Sequence, residues 1–395
     1  MSETNREKQK LTNIKARAKT RRRVRSVIII VVVVIMAAVI AASCFFLSNY
    51  KTYSSFTVTS TTLLSGGGDN LSFTNYADGY LQCSNNGAAY FTKDTIVWDE
   101  AFQMDRPILD TCQDYAAIAD MRQNDVYLYD KNGLVSRIST ANEIMDVEVA
   151  QSGMVALATT DGDCCYIELK ASDGSDVINV KSVFSSSGYL KDITLSSDGT
   201  RLAAAFIYIS QGSLESRVLF YDFSAGDTDG MLVGGFNQYT DTVLTDVEFM
   251  GDDTVCAVGD NALSFYSFSG EPSLISEELD LEWEIQSLSF TDKKLLLITK
   301  DDTNEYNYRA YVYNSSGKQV ADCGFDFAYS KAQLAGSNNI LLYSSTDCMV
   351  LSYKGLKRFS GNMGSRIAYM FPISYTFAPQ FILSTNETVQ FIKMK

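Results

Sequence analysis

Four aspartates recur in similar local contexts along the middle of the chain. Each precedes a short apolar alternation, as in Asp146-Val-Glu-Val, and the four are Asp110, Asp146, Asp192 and Asp246. Repeated carboxylates of this kind could bind a cation or a basic ligand. If the repeats surround a central channel, these side chains could ring one of its mouths. The alternative is structural, with each carboxylate accepting backbone hydrogen bonds in a turn between repeats.

The chain contains no histidine, and this absence excludes several kinds of catalytic site. A Ser-His-Asp triad, a Cys-His pair and a His-ligated zinc or haem site cannot form. No pair of carboxylates with the spacing of a glycosidase stands out among the 47 acidic residues. We therefore predict no catalytic residues.

Three oxygen-rich segments are candidate calcium sites, but none has the spacing of a full calcium loop. They are Asp161-Gly-Asp163, Asp227-Thr-Asp229 and Asp301-Asp302-Thr-Asn-Glu305. Solvated turns explain these segments better than calcium loops do, so we predict no metal site.

The eight cysteines do not form a metal-binding pattern. Cys44 lies in an apolar segment near the amino terminus, which leaves an odd number, seven, in the rest of the chain. Most of these occupy apolar strand positions, as small buried hydrophobic residues do. A disulfide between neighbouring strands remains open, although its pairing does not follow from the sequence.

The elements that would position the aspartates repeat about every 40 residues. Each unit has an inner strand after the Asp, a turn, a very apolar second strand such as 202–207, and an aromatic third strand such as 125–130. A fourth strand follows most copies. Four strands per unit with this period are typical of a β-propeller, so we predict an all-β fold.

The third strand occurs eight times, which predicts an eight-bladed β-propeller with seven blades as the alternative. The alternative applies if the weak copy near residues 71–102 is irregular. The last unit ends after its third strand, whereas residues 53–64 form a strand with no sheet of its own. We predict that this strand completes the last blade and removes two free edges.

Residues 26–47 form an uncharged apolar segment, long enough at about 1.5 Å per residue to cross a bilayer of about 30 Å. Residues 1–25 hold ten basic and two acidic residues, whereas the rest of the chain holds 23 basic and 45 acidic ones. Basic flanks stay on the cytoplasmic side. We predict a cytoplasmic arm (1–25), a transmembrane signal-anchor (26–47) and an extracellular domain (48–395), in a single-pass protein of the cell membrane.

Cleavage of the apolar segment is the competing interpretation. Ala41-Ala42-Ser43 has the small residues that a signal peptidase accepts, and Cys44 could mark a lipoprotein. The segment is longer than the apolar region of most signal peptides, which favours an uncleaved anchor.

Ser197-Asp-Gly-Thr-Arg-Leu-Ala and the Tyr-Asp-x-x-Gly pattern resemble WD40-like and quinoprotein-like propellers. The whole chain resembles a domain-of-unknown-function family of clostridial single-pass membrane proteins, which implies a location at the cell surface. Quinoprotein propellers can hold a cofactor beside a vicinal cysteine pair, and Cys164-Cys165 is the local match. Such propellers are richer in tryptophan than this chain, which has two, so we predict no cofactor.

A binding or scaffold module for a protein or cell-envelope ligand is the function that these features favour. The acidic outer domain excludes nucleic acid and favours a basic or neutral partner, and exposed aromatic residues would add contact area. The alternative is an extracytoplasmic enzyme that uses channel carboxylates or a bound cofactor. An enzyme requires a pocket with convergent carboxylates of perturbed pKa, whereas a binding module does not.

Overall fold

The computed structural model describes residues 28–46, 50–64, 68–93, 95–184, 188–224, 231–279, 281–282, 284–374 and 379–395. The chain divides into two compact units, Met1–Thr52 and Tyr53–Lys395. The first contains α1 (Ile28–Phe46), whose 19 residues are long and apolar enough to cross a membrane. The basic arm of residues 1–25 lies outside the described residues.

The second unit is an eight-bladed propeller in which every blade is a four-stranded antiparallel sheet. Blades 1 to 4 contain β2 (Ser72–Tyr76), β3 (Gly79–Ser84), β4 (Gly87–Thr92), β5 (Thr95–Ala101), β6 (Pro107–Cys112), β7 (Tyr115–Asp120), β8 (Asp125–Asp130), β9 (Gly133–Ser139), β10 (Glu143–Val149), β11 (Val155–Thr160), β12 (Cys164–Lys170), β13 (Asp176–Val183), β14 (Tyr189–Leu195), β15 (Arg201–Ser210), β16 (Ser213–Asp222) and β17 (Leu232–Thr240). Blades 5 to 7 contain β18 (Leu244–Phe249), β19 (Thr254–Gly259), β20 (Leu263–Ser267), β21 (Ser273–Glu278), β22 (Ile285–Thr291), β23 (Lys294–Lys300), β24 (Tyr308–Asn314), β25 (Gln319–Phe325), β26 (Lys331–Ala335), β27 (Asn339–Tyr343), β28 (Asp347–Ser352) and β29 (Lys357–Asn362). Blade 8 combines β30 (Tyr369–Ser374), β31 (Gln380–Ser384) and β32 (Thr388–Met394) with β1 (Phe56–Leu63).

The eight-blade prediction is confirmed, and the seven-blade alternative is wrong because blade 1 is a regular four-stranded sheet. The ring is closed by β1, which pairs antiparallel with β32 from Phe56 opposite Met394 to Leu63 opposite Thr388. The sequence places this strand at residues 53–64, and the structure begins it at Phe56. Tyr53 is buried beside blade 7, where its backbone amide donates a hydrogen bond to the carbonyl of Arg358 at 2.6 Å.

The hydrophobic core is a ring of eight clusters, one between each pair of neighbouring blades. Second strands such as Val155–Thr160 and Arg201–Ser210 are apolar along most of their length because both faces pack against other blades. The only Trp-Asp pair contributes to one cluster, where Trp98 stacks on Tyr129 of the next blade with ring centroids 4.9 Å apart. The innermost strands of the blades therefore surround a central channel, with their side chains held at fixed levels.

Candidate functional site

A β-bulge sets the position of three of the four repeated aspartates. In blades 3, 4 and 5 the register between the first two strands shifts immediately before Asp146, Asp192 and Asp246. A bulge of this kind re-aims the side chains beside it. The aspartates therefore lie within the inner strands and not before them, which corrects the position that the sequence indicated.

Asp146 and Asp192 join neighbouring blades through backbone hydrogen bonds. Asp146 Oδ2 accepts the N–H of Ile193 at 3.4 Å, and Asp192 Oδ2 accepts the N–H of Val247 at 2.7 Å. The carboxyl groups of Asp146 and Asp192 also share a hydrogen bond, and burial raises the pKa of both. This arrangement supports the structural interpretation, in which the carboxylates serve as hydrogen-bond acceptors for the fold.

Asp110 lies at a different level of the channel from the other three. Its inner strand has no bulge, and its Oδ2 accepts the N–H of Val149 at 2.8 Å. This N–H lies two residues further along its inner strand than the position from which Asp146 accepts an N–H in the next blade. The equivalent acceptors in blades 3 and 4 are Glu148, which binds the N–H of Leu195 at 3.2 Å, and Thr194 Oγ1, which binds that of Phe249 at 3.0 Å. Asp110 therefore lies at the same level of the channel as Glu148 and Thr194.

A cavity of about 340 Å³, here called the channel cavity, opens where the inner strands of blades 2 to 5 end. Asp110, Glu148 and Glu248 line it, together with Asp252 and Asp292 from two turns. Burial raises the pKa of Asp110 to about 6 and that of Glu248 to about 8, and mutual repulsion between the carboxylates adds to both shifts. The Glu248 carboxylate accepts no hydrogen bond within the described part of the chain.

The carboxylates do not form a complete ring. Ser287 follows the bulge of blade 6 at the position of the aspartates, and blades 7 and 8 present Lys331, Gln333, Tyr369 and Phe371 to the channel. Asp146, Asp192 and Asp246 also do not line the channel cavity at its mouth. The sequence therefore identified the strands that carry the acidic residues. It did not show at which level of the channel these residues lie, or how many blades carry them.

None of the oxygen-rich segments has the geometry of a metal site within the described residues. No group of three acidic or thiol side chains there could hold an ion. The Asp161 carboxylate accepts the N–H groups of Asp163 and Cys164 at 3.0 and 2.8 Å, and Asp301 Oδ2 accepts the N–H of Tyr306 at 2.9 Å. Both aspartates therefore cap turns, and Asp227 and Asp229 lie outside the described residues.

All eight cysteines are free thiols. Cys164 and Cys165 occupy successive positions of β12, so their side chains point to opposite faces of the sheet. Cys165 is fully buried in the core between blades 3 and 4, where burial raises the pKa of its thiol to about 11. Neither a reactive dithiol nor a cofactor contact follows from this geometry.

A second cavity, here called the apolar pocket, lies at the opposite end of the inner strands, between blades 2, 3 and 4. Its volume is about 860 Å³. The hairpin β15–β16 forms one wall with Ile207, Ile209 and Leu214, and the side chain of Ile209 is 78% exposed. The pocket falls within the size range of sites that bind a ligand or the side chains of a partner.

Phe184, Gly188 and Tyr189 also line the apolar pocket. Tyr189 stacks on Phe184 with ring centroids 3.8 Å apart, and Tyr189 remains 55% exposed. Gly188 has φ +87°, and a Cβ atom there would lie 2.6 Å from the carbonyl oxygen of Ile207. Glycine therefore allows the backbone at position 188 to lie directly against the hairpin.

The apolar pocket is also lined by three exposed cations. Arg106 and Arg122 come from blade 2, and Lys191 is the bulge residue before Asp192. None of them forms an ion pair within the ranges that the structure describes. They give the pocket a positive edge in a chain whose net charge is −14.

Sequence reasoning missed the apolar pocket. Its residues are spread over positions 106–214 and meet only because three blades are adjacent. One signal was present, since β15 and β16 have ten residues each where most strands of the propeller have five to seven. Exposed aromatic residues include Tyr189 and Tyr306, although the largest fully buried side chains are also tyrosines and phenylalanines.

The comparisons with known proteins identify a family and a fold. The model of a family described as "Family of unknown function (DUF5711)" matches residues 49–394. No curated protein sequence matches the chain. Its fold is similar to those of Sqt1 from Saccharomyces cerevisiae (TM-score 0.56, 10% identity, covering 88% of this chain and 99% of Sqt1) and the Dos1 propeller (0.55, 11%, 86% and 95%). It is also similar to KlAtg21, solved in complex with the coiled-coil of AgAtg16 (0.51, 11%, 75% and 99%).

Proposed function

The chain belongs to the DUF5711 family, and we propose that it is a membrane-anchored, non-catalytic binding module that docks a protein partner at its apolar pocket. The pocket is the observation that carries this proposal. Exposed apolar side chains and cations that form no ion pair with any described residue meet there in one concave surface. Apolar area with a polar edge is the usual composition of a protein-binding site.

The hydrogen bonds of the channel carboxylates support a non-catalytic role. Asp110, Asp146, Glu148 and Asp192 each accept a backbone N–H from the next blade. Such contacts hold the inner strands in register. These four carboxylates are therefore committed to the fold.

The charge distribution supports a single-pass topology with the propeller outside the cell. Ten basic residues precede α1, and the positive flank of a membrane segment stays on the cytoplasmic side. A thiol-labelling experiment tests this. We expect a membrane-impermeant maleimide to label Ser213→Cys in intact cells, and Ser2→Cys only after permeabilisation. The reverse pattern would contradict the topology.

The comparison with KlAtg21 supports a protein partner. That propeller was solved bound to a coiled-coil segment, which shows that a similar fold can hold a helical partner. We infer no partner identity from this similarity, and the proposal depends on the apolar pocket itself.

Site-specific photo-crosslinking in cells that produce the full chain tests the proposed function. With a photoreactive residue at Ile209 we expect one defined adduct, identified by mass spectrometry and lost when Leu214→Asp is added. Val320 is a matched control because it is 41% exposed on the outer strand of blade 6. Equal adducts from both positions, or none from Ile209, would overturn the proposal.

A second candidate is an enzyme that uses the channel cavity, and Glu248 is the observation that favours it. The Glu248 carboxyl has a pKa raised to about 8 by burial and by Asp110 and Asp146, so it could act as a general acid near neutral pH. Loss of a hydrolytic activity in Glu248→Gln, with Glu277→Gln as a surface control, would establish this alternative.

A further inference from the structure

The apolar pocket combines apolar and basic side chains. The β15–β16 hairpin presents Ile207, Ile209 and Leu214, and Lys191 comes from the paired strand β14, whereas Arg106 and Arg122 come from blade 2. The exposed ring of Tyr189 lines the same cavity. A ligand that fills the pocket must therefore offer apolar groups and must also satisfy positive charge.

The three cations are available to an external anion. Arg106, Arg122 and Lys191 are exposed and make no ion pair within the described residues. The positive charge of Lys191 favours the ionised form of Asp146. An anion placed beside these side chains would be stabilised by their positive charge.

The surrounding field restricts which anion can bind. The outer unit is acidic overall, so an extended polyanion would be repelled outside the pocket. At physiological ionic strength the interaction is screened beyond about 8 Å, so a few carboxylates placed at the cations are attracted locally. The basic arm of this chain is excluded as the ligand of the pocket, because its ten basic residues would be repelled by the three cations there.

We propose that the pocket binds a short amphipathic segment of a partner protein, with carboxylates on one face and aliphatic or aromatic side chains on the other. This inference rests on the proposed function and adds the chemistry of the partner. A volume of about 860 Å³ accommodates several side chains of such a segment. Laying the apolar face of a helix into a hydrophobic groove is a common mode of peptide recognition. The net charge of the chain favours a basic partner. The charged side chains that line this pocket are positive, however, so an acidic segment is favoured there.

The backbone conformation of Arg122 allows a variant that removes its side chain and leaves the backbone unchanged. Its φ is +66°, and its N–H donates a hydrogen bond to the carbonyl of Ile144 in the next blade at 2.7 Å. Glycine adopts this conformation at no steric cost and keeps the backbone hydrogen bond. We therefore expect Arg122→Gly to remove the guanidinium without lowering the thermal unfolding midpoint.

The test uses the full-length chain in phosphatidylcholine nanodiscs and fluorescein-labelled synthetic peptides. The probes are a helical peptide of glutamate and leucine with one acidic and one apolar face, the same peptide with lysine for glutamate, and a version of scrambled order. We expect fluorescence anisotropy to show that the acidic amphipathic peptide binds about tenfold more tightly than either control. We expect salt to weaken this binding.

Single substitutions test whether the acidic peptide binds in the apolar pocket. Arg122→Gly and Lys191→Gln should each weaken the acidic peptide about twofold to fivefold, and Ile209→Asp should weaken it further by placing a like charge on the apolar wall. Arg366→Gln is the matched control, because Arg366 is exposed, makes no ion pair within the described residues and lies in the connection before blade 8. It should leave the affinity unchanged.

Three results would overturn the inference. They are equal binding of the acidic and basic peptides, no effect of the pocket variants, or pocket-dependent binding to phosphatidylglycerol vesicles without peptide binding, which would make lipid the occupant. If Ile209 still gives its defined adduct in cells while the peptides show no charge preference, only this inference fails. If that adduct is absent, the proposed function fails.

Discussion

The inner strands of blades 2 to 5 line the central channel with carboxylates, whereas those of blades 6, 7, 8 and 1 line it with hydroxyl, amide, ammonium and aromatic groups. In the acidic half, Asp192 accepts the backbone N–H of Val247 at 2.7 Å. In the other half, Gln333 Nε2 donates to the backbone carbonyl of Met370 at 3.2 Å. In both halves a side chain thus bonds to the backbone of the neighbouring inner strand. It accepts the hydrogen bond in the acidic half and donates it in the other half.

The comparison shows that the propeller does not require the acids. Where they are absent, aromatic contacts take over, as between Phe73 and Tyr369, whose ring centroids are 5.7 Å apart. In the acidic half, burial and then repulsion between neighbouring carboxylates raise the pKa of Asp110 and Glu248. The two halves should therefore respond differently to charge and to pH.

The largest effect is expected from a carboxylate placed in the aromatic half. Phe371 is buried and packs edge-on against Tyr80 with ring centroids 6.1 Å apart. Phe371→Glu should lower the free energy of unfolding by about 3 kcal/mol at pH 7, because the charge loses water and gains no partner. Urea unfolding of the full chain in detergent micelles measures this. Phe371→Leu is the control, with an expected loss of about 1 kcal/mol, and equal losses would contradict the prediction.

The pH dependence of stability should come from the acidic half. Because the folded pKa values of Asp110 and Glu248 lie near 6 and 8, above those of the unfolded chain, the folded state binds more protons between about pH 4 and pH 8. The free energy of unfolding should then fall as pH rises through this window. Aspartates with lowered pKa, such as Asp301, act in the opposite sense below about pH 4.

Glu248→Gln removes one of these charges and isolates its contribution. The variant should flatten the slope above pH 6 and gain about 1 to 2 kcal/mol of stability at pH 8. Urea unfolding at a series of pH values measures both. Glu277→Gln in the outer strand of blade 5 should leave the slope unchanged, and an unaltered slope in Glu248→Gln would contradict the assignment to the channel.

The smallest effect is expected from extending the acidic half by one blade. Ser287 follows a bulge, as Asp246 does. Ser287→Asp should cost less than about 1 kcal/mol at pH 8, through repulsion across the channel, and nothing at pH 4.5. A large loss at both pH values would show that the aspartate is a poor fit for blade 6 itself, independent of its charge.

The number of blades could be predicted because each blade repeats its strand pattern within a short stretch of chain. The level of Asp110 could not be predicted, since the Asp in Leu109-Asp110 resembles the one in Met145-Asp146 in sequence. The difference arises from the bulge before Asp146, which is absent before Asp110. The apolar pocket depends on contacts between three blades and has no continuous sequence pattern.

The pairing of β1 with β32 has a consequence for biosynthesis. Thr59 donates a hydrogen bond to the carbonyl of Phe391 at 2.9 Å, across 332 positions of the chain. The first strand to be synthesised must therefore wait, unpaired, until its partner emerges. An exposed apolar strand would be an aggregation hazard during that interval, but β1 reads Phe-Thr-Val-Thr-Ser-Thr-Thr-Leu and most of its side chains are polar. Its composition suits a strand that stays in water until the ring is complete.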